Sequence, residues 1–333
     1  MSNKDLNSMI VISNKKLKVI KEENNKIYLS KVIKVEGLKK LIVSWNVVTP
    51  SDSYIVVKAK VYVQDNKDKK KNWSEWISWG KWGTNIKRGS ESSKCDEARI
   101  DVDTLSINEG YSCKAIQLKI ISYYNNIEFE AEIKELFITY YKGNNNGFEN
   151  EGYELTNKLI ETPCISQMQR DEKIAHKICS PTSLTMLLNR LGENLKVEDV
   201  AYNCLDYNYN EFGNWAYNVA YAGSLGYKAY VEYGGIHSLI REINNGNPIE
   251  VSVKYTNDIN NKEYPYIENA PLTTSGHLIV VCGIEVNNDG KWIIVNDPAG
   301  KDDESVRLKY KIEEFMEAWQ RSNYIMYVIH KQD

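Results

Sequence analysis

The chain of 333 residues has no apolar run approaching the ~18 residues that a membrane-spanning helix needs. Its start, "MSNKDLNSMIVISNKKLKVIKEE", lacks the basic-then-apolar pattern of a signal peptide. The expectation is a soluble, cytoplasmic protein with no membrane partner, and an export route that uses no such signal leaves no mark to read. The six cysteines, Cys95, Cys113, Cys164, Cys179, Cys204 and Cys282, show no CxxC spacing. That argues against a zinc knuckle and against a dense disulfide framework, and fits reduced thiols. A surplus of one charge is missing too: 42 Lys and Arg stand against 45 Asp and Glu, a net charge of −3. Nucleic-acid binders usually carry a basic surplus, so no nucleic-acid partner is expected. Histidine is scarce, with four in the chain.

What is present divides in two. Hydrophobic residues make up 42% of the chain, enough at this length for two ordinary cores. From about Ile10 to Tyr141 the sequence runs in short alternating or apolar stretches, "KLIVSWNVV", "YIVVKAKVYV", "AIQLKIISYY" and "FEAEIKELFITYY", separated by turn formers. This predicts an all-β sandwich or jelly roll over 1–145. The charged run "DNKDKKKN", Asp65 to Asn72, reads as a hairpin loop. "KGNNNGFENEG", Lys142 to Gly152, is polar, aperiodic and rich in Gly and Asn, and marks the boundary. Over 146–333 the order is helices first and strands later, an α+β pattern.

Within that second half, "KICSPTSLTMLLNRLG" sets Leu184, Leu187, Leu188 and Leu191 at i, i+3, i+4 and i+7, one helical stripe. Ser180 reads as its N-cap, Pro181 as the first helical residue and Gly192 as the stop. Cys179 then stands just outside the positive end of the helix dipole, a setting that lowers a thiol pKa from about 8.5. A nucleophilic thiol needs a base, a group that orients the base, and donors for an oxyanion. His176 lies in a charged loop, His237 opens an amphipathic helix, and His330 is near the end of the chain. His277 differs: "TTSGHLIVVCGIEV" puts it at the start of a long buried strand. The strand "KWIIVNDPAG" returns through "NNDG" to Asn296 and Asp297, either of which can accept an imidazole N–H. An unbulged ladder would set Asp297 across from Val280, so pairing it with His277 requires a bulge or an odd-length loop. Upstream, "CISQMQR" offers Gln167 and Gln169 as amide donors to an oxyanion.

Trp73, Trp76, Trp79 and Trp82 recur every third residue in "WSEWISWGKWG". Residues three apart on a strand face opposite ways, so a single stripe needs a bulge or turn. Core packing is the first reading, and an exposed aromatic platform for a glycan or peptide is the alternative. Trp215, Trp292 and Trp319 are expected in the core of the second half.

Taken together, "SQ" at Ser166, "CSPTSLTMLLNRLG", "GNWAYNVAYAGSLGY", "INNGNPIEVSV", "SGHLIVVCGIE" and "VNDPAG" resemble, in order, the motifs of the C39-like cysteine peptidases. "SWNVVTP", "WSEWISWGKWG" and "DVDTL" resemble the accessory domain carried by a subset of them. The resemblance implies a papain-like fold for the second half and hydrolysis of a peptide or amide bond, without metal or other cofactor. It implies Cys179 as nucleophile, His277 as base, Asp297 as the orienting carboxylate and Gln167 as oxyanion donor, with the backbone N–H of Ser180 at the helix start. A peptide or protein would be the substrate. One departure is Ser180 itself, where the family usually has glycine. A binding protein with an inert thiol, and an acyl transferase using the same thiol, are the alternatives.

Overall fold

The structure is a computed structural model and describes residues 8–22, 25–143 and 153–332. The boundary stretch from 144 to 152 therefore lies outside the described residues. The chain divides into two compact units, one joining residues 7–145 to 205–231, the other built on 146–204 and 232 onward.

The first unit consists of two antiparallel sheets. One runs in the order Ser8–Ser13, Glu132–Tyr141, Lys40–Val48, Thr104–Ile107, Ala98–Asp101, Ser93–Lys94. The other runs Lys18–Lys21, Asn25–Leu29, Tyr111–Tyr123, Tyr54–Asp65, Lys71–Trp73, with Ile33–Lys34 and Ile77–Trp82 attached. Strict alternation in Tyr54–Asp65 turns Ile55, Val57, Ala59, Val61 and Val63 inward. Opposite them across the ladder stand Ile116, Leu118 and Ile120. Each Ile, Val or Leu among them contributes about 1.5–3 kcal/mol on burial. Residues of both sheets form one apolar cluster that includes Trp45, Trp79 and Trp82. The Asp65–Asn72 run forms the connection of a hairpin, with Gln64 paired to Lys71.

The tryptophans separate by position. Trp79 and Trp82 are fully buried, so no four-ring surface platform forms. An extra residue in Ile77–Trp82, with Gly80 at φ +88°, lets both rings point inward. A side chain at Gly80 would collide with the Gly89 carbonyl. Trp73 and Trp76 are half-buried beneath lysines, Lys60 Nζ lying 4.6 and 5.1 Å from the two ring centroids and Lys119 Nζ 4.3 Å from that of Trp76. Trp319 is buried, whereas Trp215 and Trp292 are only half-buried.

Lys40–Val48 alternates Ser44 and Asn46 with apolar residues, which by itself predicts one solvated face. Instead seven of its nine residues are buried. Its back is covered by helix α3 (Trp215–Ser224) and the residues that follow it. Asn46 Nδ2 donates to the Ala229 carbonyl at 2.7 Å, and the Ala229 N–H donates to Asn46 Oδ1 at 3.1 Å. Tyr217 reaches the same core, its ring 6.2 Å from that of Trp45. Residues 205–231 therefore fold with the strand-rich unit although the chain enters them from the other one.

In the second unit an antiparallel sheet runs Ile325–His330, Ile249–Tyr255, Thr274–Asn287, Gly290–Asn296, Arg307–Lys311, with Lys158–Leu159 also paired to Thr274–Asn287. Around it lie α1 (Cys179–Arg190), α2 (Val197–Cys204), α4 (Ile236–Asn244) and α5 (Ile312–Gln320). The sequence reading passes over α5, although Ile312, Phe315 and Trp319 are its buried face and Glu313 and Glu314 occupy its first turn. Helix α1 shows no single stripe, because all nine residues from Ser180 to Leu188 are buried.

One irregularity sets the geometry of the site. The Thr274–Asn287 and Gly290–Asn296 hairpin pairs Gly283 with Ile294 but Val281 with Val295, leaving Cys282 as a bulged residue. A one-residue shift exchanges the faces of everything beyond it. It brings Asn296 opposite Val280, so that His277 and Asp297 fall on the same face. Gly283 permits this because a Cβ there would meet the Lys158 carbonyl oxygen at 2.5 Å.

Two substitutions test this architecture. Asn46→Ala leaves the Ala229 backbone groups unpaired in a buried place and is expected to cost about 2–4 kcal/mol, read as a lower urea midpoint. Gly283→Ala is expected to cost about 1–3 kcal/mol by displacing Lys158–Leu159, and an unchanged melting temperature would refute that packing argument.

Candidate active site

Cys179 is the first residue of α1, not a residue outside it. Ile178 takes the cap position without any side-chain cap bond, and the Thr182 N–H closes the first turn on the Ile178 carbonyl at 2.9 Å. Ser180 does not cap because its hydroxyl is engaged elsewhere, donating to Glu250 Oε1 at 3.0 Å and lying 3.2 Å from the Tyr327 hydroxyl. Pro181 still falls in the first turn, where its missing N–H leaves no gap. Leu191 is the C-cap, and Gly192 follows at φ +111°, ending the helix where expected.

Helix and histidine strand are locked together one turn later. Ser183 Oγ donates to the Leu278 carbonyl at 3.0 Å, next to His277 in the chain. Cys179 is half-buried as a residue. Burial pushes its pKa up. The hydrogen bond and charge of His277, with N–H groups of Leu278 and Ser180 aimed at the sulfur, outweigh that and hold it below the ordinary thiol range.

His277 is buried, and its Nε2 lies 2.7 Å from Asp297 Oδ1, which leaves Nδ1 to face the thiol. Burial alone would lower its pKa, yet the charge and hydrogen bond of Asp297, followed by those of Cys179, raise it to about 10. Asp297 is wholly inaccessible, and each of its oxygens is satisfied. Oδ1 also accepts from the Ala299 N–H at 3.0 Å, while Oδ2 accepts from the hydroxyls of Tyr255 at 2.7 Å and Tyr310 at 2.9 Å. Burial pushes the carboxyl up, and the His277 charge with these donors holds it below the usual carboxylate range.

The neighbouring candidates have other work. Asn296 donates to the Thr162 and Pro163 carbonyls and accepts from Arg307 Nε, so it ties loops together and does not meet the imidazole. Gln167 is buried. Its backbone N–H donates to the Pro298 carbonyl at 2.8 Å, directly after Asp297, and its Nε2 donates to the Ala175 carbonyl at 2.7 Å, leaving a second N–H on that nitrogen. Ser166 fixes this segment, its hydroxyl bonding the Gly300 carbonyl and accepting from the Met168 N–H. Gln169, by contrast, is exposed. His176 is exposed, His237 stacks edge-on against Tyr153, and His330 pairs with Glu242. Tyr255, Tyr310 and Glu250 were not singled out from the sequence, because tyrosines and an acidic residue at alternate strand positions look like ordinary strand residues there. Among the described residues no cluster of three or more His, Cys, Asp and Glu could hold a metal ion, and no helix is long and apolar enough to cross a membrane.

A thiol at a helix start, an imidazole on it and a carboxylate behind form the arrangement by which a cysteine is activated as a nucleophile. The chain belongs to the Peptidase_C39 like family, whose profile matches residues 159–327. The profile of the Peptidase C39 N-terminal domain matches residues 26–130. Membership supports a peptidase function in general terms. No curated protein matches the chain. Among solved structures, a protein described as a C39-like peptidase from Bacillus anthracis is similar at 18% identity and a TM-score of 0.41, covering 54% of this chain and all of its own. A double glycine motif protease from an AMS/PCAT transporter, solved with its leader peptide, is similar at 20% identity and a TM-score of 0.31, covering 54% of this chain and 97% of its own.

The sign of the coupling can be measured. Asp297→Asn removes the charge that raises His277, so less imidazolium is left to stabilise the thiolate. The midpoint of Cys179 alkylation by iodoacetamide is expected to move up by about one pH unit or more, towards about 8.5, with the other five cysteines as internal references. An unmoved midpoint would mean that the carboxylate does not govern the thiol.

Proposed function

We propose that this protein is a cysteine peptidase in which Cys179, His277 and Asp297 form a catalytic triad within a papain-like domain, 146–333. A β-sandwich accessory domain, 1–145, precedes it, and residues 205–231 of the later half pack with that domain. The observation that carries this reading is the unbroken contact from thiol to imidazole to a buried carboxylate with all its lone pairs occupied. Structural ion pairs also perturb pKa values, but this one ends on a thiol at the first residue of a helix.

The reaction follows from the groups present. The Cys179 thiolate attacks the carbonyl carbon of a peptide bond, forming a C–S bond and an oxyanion. The Cys179 backbone N–H and the free N–H of Gln167 Nε2 receive that oxyanion. The Ser180 N–H, at the same helix start, bonds the sulfur of the resting thiol. Imidazolium Nδ1–H protonates the leaving amine as the C–N bond breaks. Neutral His277 then takes a proton from water, the hydroxide displaces the thiolate, and the carboxylic acid leaves. Asp297 keeps Nε2 protonated and the ring oriented throughout.

Thiolate and imidazolium coexist above the depressed pKa of Cys179 and below about 10, so hydrolysis should rise through the first and fall through the second. A library of quenched fluorescent peptides, assayed across that range, tests the reading. Cys179→Ala is expected to lower kcat/KM by a factor of about 10³ or more, and mass spectrometry of the wild type should trap a thioester on Cys179. Turnover that survives in Cys179→Ala, or a Cys179 that titrates like an ordinary thiol, would sink the proposal. Transfer of the acyl group to an added amine in preference to water would make the protein an acyl transferase.

A further inference from the structure

Behind the nucleophile lies a carboxyl group that the proposed reaction does not use. Glu250 is fully buried on the strand Ile249–Tyr255, its backbone paired with Tyr327 on one side and Val280 on the other. Oε1 accepts the Ser180 hydroxyl at 3.0 Å, and that hydroxyl lies 3.2 Å from the Tyr327 hydroxyl. Oε2 is buried and has no hydrogen-bond partner among the described residues. No lysine or arginine forms an ion pair with Glu250 among those residues. The charged groups that bear on it are Cys179 on α1 and His277 on the neighbouring strand.

Taking the cysteine-peptidase reading as its basis, we propose that Glu250 is a positioning residue kept as a neutral carboxylic acid, which through Ser180 anchors the first turn of α1 and so holds the Ser180 N–H on the Cys179 sulfur. A carboxylate with an empty lone pair and no cation is strongly disfavoured in such a place. Burial pushes the Glu250 pKa well above the usual range, the Ser180 hydroxyl pulls it down, the Cys179 thiolate raises it and His277 lowers it. Neutrality also serves the chemistry, because an anion there would oppose the thiolate and compete with Asp297 for the imidazolium. The assignment explains why a serine follows the cysteine: glycine would leave Glu250 without its hydroxyl partner.

Two measurements on the full-length protein decide it. Infrared difference spectra at pH 7 should show the carbonyl band of a protonated carboxylic acid that disappears in Glu250→Gln; no such band means an ionised Glu250 and overturns the proposal. Alkylation of Cys179 by iodoacetamide is then followed against pH. Glu250→Gln, which keeps a neutral acceptor for Ser180, should leave the midpoint within about 0.3 unit of wild type, whereas Glu250→Leu and Ser180→Ala should raise it by about one unit and slow labelling at neutral pH about tenfold. A downward shift in Glu250→Gln would mean that a negative charge had been removed. No shift in Glu250→Leu and Ser180→Ala would mean that the network positions nothing. If wild-type Cys179 itself titrates as an ordinary thiol, the peptidase reading fails, while the infrared band still reports the state of Glu250.

Discussion

The site depends on one buried negative charge. Asp297 is removed from water altogether, and an isolated carboxylate cannot be kept there. Two tyrosine hydroxyls, the Ala299 amide and the His277 ring each supply a donor, and they come from three strands and the loop after Asn296. Those elements must be in place before the charge is tolerable. The charge in turn raises the basicity of the imidazole that bonds the Cys179 thiol. The two partners also contribute to stability, over pH windows of opposite sign. The contribution of His277, whose pKa is raised, is complete below the ordinary histidine value and is lost as pH rises through about 10. That of Asp297, whose pKa is lowered, is complete above the ordinary carboxylate value and is lost as pH falls.

Much of this was legible in the residues. The Cys179 helix, the histidine strand and the return to Asp297 all follow from periodicity and turn chemistry, and the need for a bulge follows from counting residues around the hairpin. Where the bulge sits did not follow. Cys282 looks like any apolar strand residue, and only the close approach of Lys158–Leu159 at Gly283 marks the place. The helix start was misplaced by two residues because Ser-Pro is a strong local capping signal. A tertiary partner, Glu250, claimed the serine hydroxyl instead. Local propensity is a prior that burial overrides.

The covering of Lys40–Val48 was illegible for a different reason. Ser44 and Asn46 at alternate positions are the ordinary mark of a solvated face, and nothing near them in sequence says otherwise. The partner of Asn46, Ala229, lies 183 residues away, and that of Ser44, Val231, lies 187 residues away. Pattern reading sees neighbours along a chain, and these contacts have none. The tryptophan spacing shows the converse case, since residues three apart do share a face once Gly80 inserts its extra step.

That distant pairing also orders events during synthesis. The strands of the strand-rich unit are made before residues 153–204, yet its central strand keeps a bare back until α3 and Ala229 have followed them. Closing a loop of that span before any reward is the slow step of a fold rich in non-local contacts. A chain stopped after residue 145 would hold all the strands of both sheets and still leave Ser44, Asn46 and the edge of Trp45 without cover. The earlier half of this molecule is thus finished by the later one, and its sheet faces stay adhesive in the interval.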